Sequence, residues 1–204
     1  MGDVFDRVIK ATARLTNLGG CGAVIPGGFI LTAGHCVDWD AKGGMVLGDH
    51  YVEPVEIGGL SFRASPAAVE GSRDIAVLGS LDNQTFYDDA EAFEAMLEAV
   101  EPIPICADDY ELFQPFSIRI WTHTERWLKG TAQKCHPSAA SLHVETDDPI
   151  EFGTSGSPIV NDRGEVVAVV SNGSELGGLQ PQPHLALPVW VVQQINESVR
   201  RTAS

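Results

Sequence analysis

The sequence predicts an all-β fold in two halves, and three observations carry that expectation. Short apolar runs bounded by Gly, Pro, Asn and Asp recur along most of the chain, as strands joined by tight turns do. These runs fall into two stretches, one before residue 86 and one beginning near Phe116. A single amphipathic helix pattern lies between the stretches, and a second such pattern closes the chain.

Taken in order, residues 7–14 open the strand signal, with Ile9, Ala11 and Ala13 at period two. Residues 23–25 and 29–31 are apolar and flank Pro26-Gly27-Gly28, which is a hairpin signature. Further strand-like runs occupy residues 45–47, 51–57, 60–64 and 75–78. Phe86, Ala90, Phe93, Leu97 and Val100 step by four, three, four and three and so form one helical stripe. Asp88, Asp89, Glu91, Glu94 and Glu98 are expected to face solvent on the other side. Strand character returns at residues 117–121, 141–145, 157–160 and 165–170. The last two runs are joined by Asn161-Asp162-Arg163-Gly164, which suits a type I turn. Pro188 suits a helix start, and Val191, Val192, Ile195 and Val199 give that helix an apolar side. The expected organisation is a first β unit at 1–85, a helical connection at 86–111, and a second β unit with the terminal helix at 112–204. Sandwich and barrel both fit the strand spacing.

Composition narrows the function. The 204 residues are 44% hydrophobic and 20% charged, enough to bury a core and unlike a disordered chain. Lys plus Arg number 13 against 28 for Asp plus Glu, a formal charge of -15. That surface repels phosphate backbones and anionic lipid, so neither nucleic acid nor membrane is expected as a partner. No apolar run reaches the length of a membrane span, and the first residues lack the basic and apolar regions of a signal peptide. A cytoplasmic location is the expectation, with a secreted mature form as the open alternative. Cys21, Cys36, Cys106 and Cys135 include no C-x-x-C pair, which argues against a zinc ribbon or a thioredoxin-type site.

Three stretches carry chemistry. Thr32-Ala33-Gly34-His35-Cys36 follows an apolar run, Asp74 opens Ile75-Ala76-Val77-Leu78, and Gly153-Thr154-Ser155-Gly156-Ser157-Pro158 places a glycine-flanked serine before a strand. A serine hydroxyl is a poor nucleophile at neutral pH and needs a base within hydrogen-bond reach. Histidine is the usual base, and a carboxylate fixes its tautomer and stabilises the imidazolium. Glycines beside the serine let backbone N–H groups converge on a developing oxyanion. Each stretch alone reads as an ordinary loop or strand edge. Together, in the order His, Asp, Ser, they form a nucleophilic constellation.

These three blocks resemble the signature blocks of the chymotrypsin/trypsin-like serine peptidases, and the resemblance runs from about Arg7 to the C-terminal helix. Val169-Val170-Ser171-Asn172-Gly173 is similar to the family's strand that pairs with the substrate backbone. The resemblance implies two six-stranded antiparallel β-barrels with the active site between them and a C-terminal helix. The acidic helix between the barrels is longer than the family's usual connection. It also implies a serine endopeptidase acting on polypeptide through an acyl-enzyme, with no cofactor and no metal. His35 would be the general base, Asp74 its orienter and Ser155 the nucleophile, with the Gly153 and Ser155 N–H groups as oxyanion donors. Cys21 and Cys36 stand where the family often has a disulfide; a pair of reduced buried thiols is the alternative. Cys106 and Cys135 match no family pair and are expected to be free.

The departures from the family also inform. Animal digestive members have an Asp before the serine that pairs with a new N-terminal amine, and here that position is Thr154. Activation through such a pair is not expected, and the loop should be held by its own hydrogen bonds and packing. In this respect the chain resembles bacterial glutamyl-endopeptidase-like and high-temperature-requirement-like members. The resemblance puts Pro149, Ile150, Glu151 and Phe152 on one wall of the specificity pocket, and Val170, Ser171, Asn172 and Gly173 on the other. His184 would line the third wall. The pocket has no Asp where trypsin has one, and Val170 stands where glutamate-specific relatives carry His, so an apolar or small uncharged residue is expected at the cleavage site. Asp147, Asp148 and Glu151 leave a preference for basic residues open. A regulatory protein partner is expected to direct target choice. Two alternatives compete: a catalytically silent peptide-binding homologue, and an esterase of α/β-hydrolase architecture, which the residue order disfavours.

Overall fold

The structure is a computed structural model that describes residues 4–37, 53–171 and 176–202. In the first half, six strands pair antiparallel into a closed barrel: β1 (Thr12–Leu15), β2 (Cys21–Ile25), β3 (Phe29–Thr32), β4 (Glu53–Ile57), β5 (Leu60–Glu70) and β6 (Ile75–Gly79). Their order around the barrel is β1-β2-β3-β6-β5-β4. The expected hairpin forms, with Val24 opposite Ile30. The pairing of β5 with β6 is irregular between Pro66 and Ala68. Proline has no N–H to give a ladder, so it suits such a break, and the strand can bend there to close the barrel.

The second half holds β7 (Phe116–Trp121), β8 (Trp127–Gln133), β9 (Ser141–Thr146), β10 (Pro158–Val160), β11 (Val166–Val169) and β12 (Gly177–Pro181), in the order β11-β10-β7-β8-β9-β12. This second barrel is nearly closed. Just beyond β11, the Ser171 N–H donates to Oε1 of Gln180 on β12 at 2.6 Å, so a side chain bridges the two edge strands. Ile118, Ile120, Leu128, Leu142, Val144 and Ile159 fill its core.

Among the described residues four α-helices cover the barrels: α1 (Val4–Lys10), α2 (Tyr87–Ala99), α3 (Pro183–Ala186) and α4 (Val189–Thr202). The two terminal helices cross over. Phe5 of α1 packs edge-on to Trp127 of the second barrel at 5.4 Å, with the Arg119 guanidinium 4.1 Å from its ring centre. In α4, Trp190 packs on Phe29 of the first barrel at 6.1 Å, and Gln194 donates to the Gly27 carbonyl at 2.7 Å. In α2, Phe93 is buried edge-on against Phe62 of β5 at 5.5 Å. Among the described residues no helix is long and apolar enough to cross a membrane.

Several expectations need correction. Residues 4–10 are helical, and period-two burial begins only at Ala11, continuing through Ala13 and Leu15. Asp89 is not simply solvated: it accepts from the Arg63 backbone N–H at 2.8 Å and from Arg63 Nε at 2.9 Å, which docks α2 on β5. Val199 is 48% exposed and lies off the buried side of α4, which is formed by Val191 and Ile195. Strands β8 and β12 carried no apolar run to announce them: WLKGTAQ alternates weakly and GGLQP not at all. The run at residues 45–47 lies outside the described residues.

Candidate active site

His35 sits in a short 3-10 turn, Gly34–Cys36, that follows β3 directly. The turn turns the imidazole outward, and the side chain is 45% exposed. Asp74 immediately precedes β6, the strand paired with β3, so sheet register brings the two residues together. One carboxylate oxygen accepts the His35 backbone N–H at 2.8 Å, and the other lies 2.7 Å from Nδ1. A carboxylate only accepts, so Nδ1 carries the proton and Nε2 is left free to take one. Glycine at position 34 leaves room for the approach, since a Cβ there would stand 3.1 Å from Asp74 Oδ1 and crowd the carboxylate. Asp74 itself has φ +52°, an uncommon backbone state for a side chain that is only 16% exposed.

The electrostatics follow from these contacts. The hydrogen bond to Asp74, followed by one to Cys36, raises the His35 imidazole above its ordinary value of 6.5. Burial pushes the Asp74 carboxyl up, but hydrogen bonds from His35 and Ser171 outweigh it and hold the group below its ordinary value. The Ser171 hydroxyl donates to the same Asp74 oxygen that faces Nδ1. Ser171 is one of the residues expected on a substrate-binding wall; its side chain joins the acid to the second barrel, a contact for which no local motif gives a signal.

Ser155 comes from the second barrel, in the loop before β10. Backbone bonds hold the loop: Thr154 N–H to Glu151 O at 3.1 Å, Ser157 N–H to Thr154 O at 3.0 Å, and Gly156 N–H to Val170 O at 2.7 Å. The Cys21 N–H of the first barrel donates to Ser155 O at 2.7 Å. Gly156 has φ +82°, and a Cβ there would fall 2.0 Å from Cys21 O, so only glycine permits the contact between the halves. His35, Ser155 and Gly153 line one cleft of about 70 Å³, with Leu18 and Phe152 at its edge. Among the described residues neither the Gly153 nor the Ser155 N–H is taken by a protein acceptor.

The residues expected to form the specificity pocket are placed unevenly. Phe152 is 99% exposed and stands at the rim. Ile150 is half-buried against the second core, and Val170 is buried within it. Asn172 and Gly173 lie outside the described residues. Glu151 accepts from Arg126 Nη2 at 2.6 Å and from the Thr124 hydroxyl at 2.6 Å, and Asp148 lies 3.6 Å from Arg126. Two of the three nearby acids are therefore paired with a cation. His184 is half-buried, its Nδ1 has no hydrogen-bond partner among the described residues, and burial lowers its pKa.

Cys21, Cys36, Cys106 and Cys135 are all free thiols, the first three buried. Cys106, Asp108 and Glu165 converge closely enough to suggest metal ligands. Arg163 already fills that space, however, pairing with Asp108 and, at 2.6 Å, with Glu165.

The trypsin-like peptidase domain family model matches residues 20–169. No curated protein matches the chain. Among solved structures, the inactive form of the Rv3671c protease is 13% identical with a TM-score of 0.58, over 98% of this chain and 93% of that one. The active form of the M. tuberculosis Rv3671c protease is 14% identical with a TM-score of 0.59, over 97% and 82%. A serine endoprotease from Yersinia pestis is 17% identical with a TM-score of 0.58, over 94% and 66%. At these identities the likeness is one of fold.

Proposed function

The chain belongs to the trypsin-like peptidase domain family, and from that premise we propose that it is a serine endopeptidase that works through Ser155, His35 and Asp74. The observation that carries the proposal is the 2.7 Å contact from Asp74 to His35 Nδ1, with Ser155 lining the same cleft as His35. Ser155 Oγ attacks the carbonyl carbon of the scissile bond and passes its proton to His35 Nε2. The carbonyl oxygen becomes an oxyanion and accepts the Gly153 and Ser155 N–H groups. Collapse breaks the C–N bond, and His35 returns the proton to the departing amine. Water then attacks the acyl ester by the same route, restoring the serine and releasing the acid.

The substrate is polypeptide, and an apolar or small uncharged residue fits the cleavage site best. Arg126 already pairs with Glu151 and Asp148, so neither acid stands free to draw a basic side chain. The test is reaction with a fluorophosphonate, followed by peptide-library cleavage. Wild type should be labelled at Ser155, and Ser155→Ala should lose about 10⁶ in kcat with its fold intact. Cleavage that survives in Ser155→Ala would remove Ser155 from the mechanism. A wild type that binds peptide without labelling would make the protein a silent homologue.

A further inference from the structure

We infer that the turn between β7 and β8 is the device that positions the oxyanion loop, with His123 and Thr154 as its working pair; this rests on the peptidase reading above. Thr154 lies between the two proposed donors, is fully buried, and places its hydroxyl 3.2 Å from His123 Nδ1. The His123 ring also lies beside the loop, with Cδ2 and Cγ each 3.3 Å from where a Cβ on Gly153 would sit. One half-buried side chain therefore bonds residue 154 and backs residue 153.

The turn is stiff enough for this task. Thr122 N–H donates to Arg126 O and Glu125 N–H to Thr122 O, both at 3.0 Å. The neighbours of His123 grip the start of the same loop, through Thr124 to Glu151 at 2.6 Å and Arg126 Nε to Glu151 at 3.0 Å. Arg14 of β1 reaches across from the first barrel and donates to the His123 carbonyl and to Glu125, each at 3.1 Å. Thr154 offers no charge for an ion pair, and a buried hydroxyl needs a partner. His123 supplies one from a turn that is anchored to both barrels. Without it the 152–153 peptide is free to rotate, which would withdraw the Gly153 N–H from the oxyanion.

The experiment compares purified full-length wild type with Thr154→Val, Thr154→Ser, His123→Phe, His123→Asn and the Thr154→Val/His123→Phe double variant. The readouts are the fluorophosphonate reaction rate, kcat and KM on a peptide ester, and the melting temperature. Thr154→Val and His123→Phe should each lose on the order of 10² in kcat, the scale of one oxyanion donor, with KM within about threefold. Thr154→Ser and His123→Asn should recover most of that loss. The double variant should be no worse than either single, since both break one link. If one pair of variants does not fold, the other decides. Singles within about threefold of wild type, losses that multiply in the double variant, or an effect confined to KM would overturn the inference. An unreactive wild type would bring down the peptidase reading and this inference with it; a reactive wild type with unimpaired variants brings down this inference alone.

Discussion

Asp74→Asn perturbs the site at its most constrained group. The carboxylate receives three donors: the His35 backbone N–H on one oxygen, and His35 Nδ1–H and the Ser171 hydroxyl on the other. An amide has only one acceptor oxygen, so one side must change. If the NH₂ faced the backbone N–H, two donors would meet in a mostly buried place, at a cost of about 1–3 kcal/mol. The backbone cannot reverse its polarity, whereas the imidazole can change tautomer and the serine hydroxyl can rotate. That cost favours the opposite orientation roughly 5- to 150-fold, with the oxygen on the backbone N–H and the NH₂ on Nδ1. Nδ1 then accepts, the ring proton moves to Nε2, and the nitrogen that should take the Ser155 proton already carries one. The side chain keeps its shape, so the fold should hold while kcat falls about 10⁴. Peptide-ester kinetics and a melting curve on the same preparation read both quantities. A variant that kept more than a tenth of wild-type kcat would refute the assignment of Asp74 as the orienting acid.

Other outcomes follow from named contacts. The hydrogen bonds to Asp74 and Cys36 raise His35, so its base form is gained late as pH rises. The acid limb of kcat/KM should therefore have its midpoint above pH 6.5, and in Asp74→Asn the imidazole titration followed by NMR should move back toward 6.5. The same pair contributes stability with two signs. The part from His35 is complete below 6.5 and is lost as pH rises through its folded value. The part from Asp74 is complete above 3.8 and is lost as pH falls through its depressed value, so chemical denaturation should show a maximum between those limits. Gly156→Ala puts a methyl 2.0 Å from Cys21 O on a backbone at φ +82°, and should abolish labelling and lower the melting temperature sharply. Unimpaired labelling would show that the halves can separate there. Phe93→Ala empties a buried site under α2 and should cost about 3–5 kcal/mol in denaturant unfolding without altering the acid-limb midpoint.

The sequence revealed what has a local cause. The hairpin at residues 21–32 was visible because a Gly/Pro turn divides two apolar runs. His35, Asp74 and Ser155 were visible because each is embedded in a stretch whose chemistry explains its neighbours. Strand β12 was not visible: Gly177–Pro181 has no apolar face, and its backbone is recruited by register with β9, from Gly177 opposite Glu145 to Pro181 opposite Ser141. Helix α1 was hidden because Ile9 joins the alternation of Ala11 and Ala13 by coincidence, while the packing partner of Phe5 lies 122 residues further on, at Trp127. The contacts of Ser171 with Asp74 and of His123 with Thr154 escaped for the same reason: the partners lie 97 and 31 residues away, and no local pattern announces either contact.

The crossed terminal helices have a consequence for how the molecule can be divided. Each barrel is roofed by the end of the chain that belongs, in sequence, to the other: Phe5 rests on Trp127, and Trp190 on Phe29. Cutting in the connection around α2 therefore does not yield two self-sufficient pieces, since each fragment would carry away the other's lid and leave an apolar patch bare. The connection behaves as a tether and not a spacer, because Cys21 and Ser155 already fix the alignment of the halves. A nick there should leave two fragments bound together in working register, whereas the same fragments produced separately should remain incomplete until they are mixed.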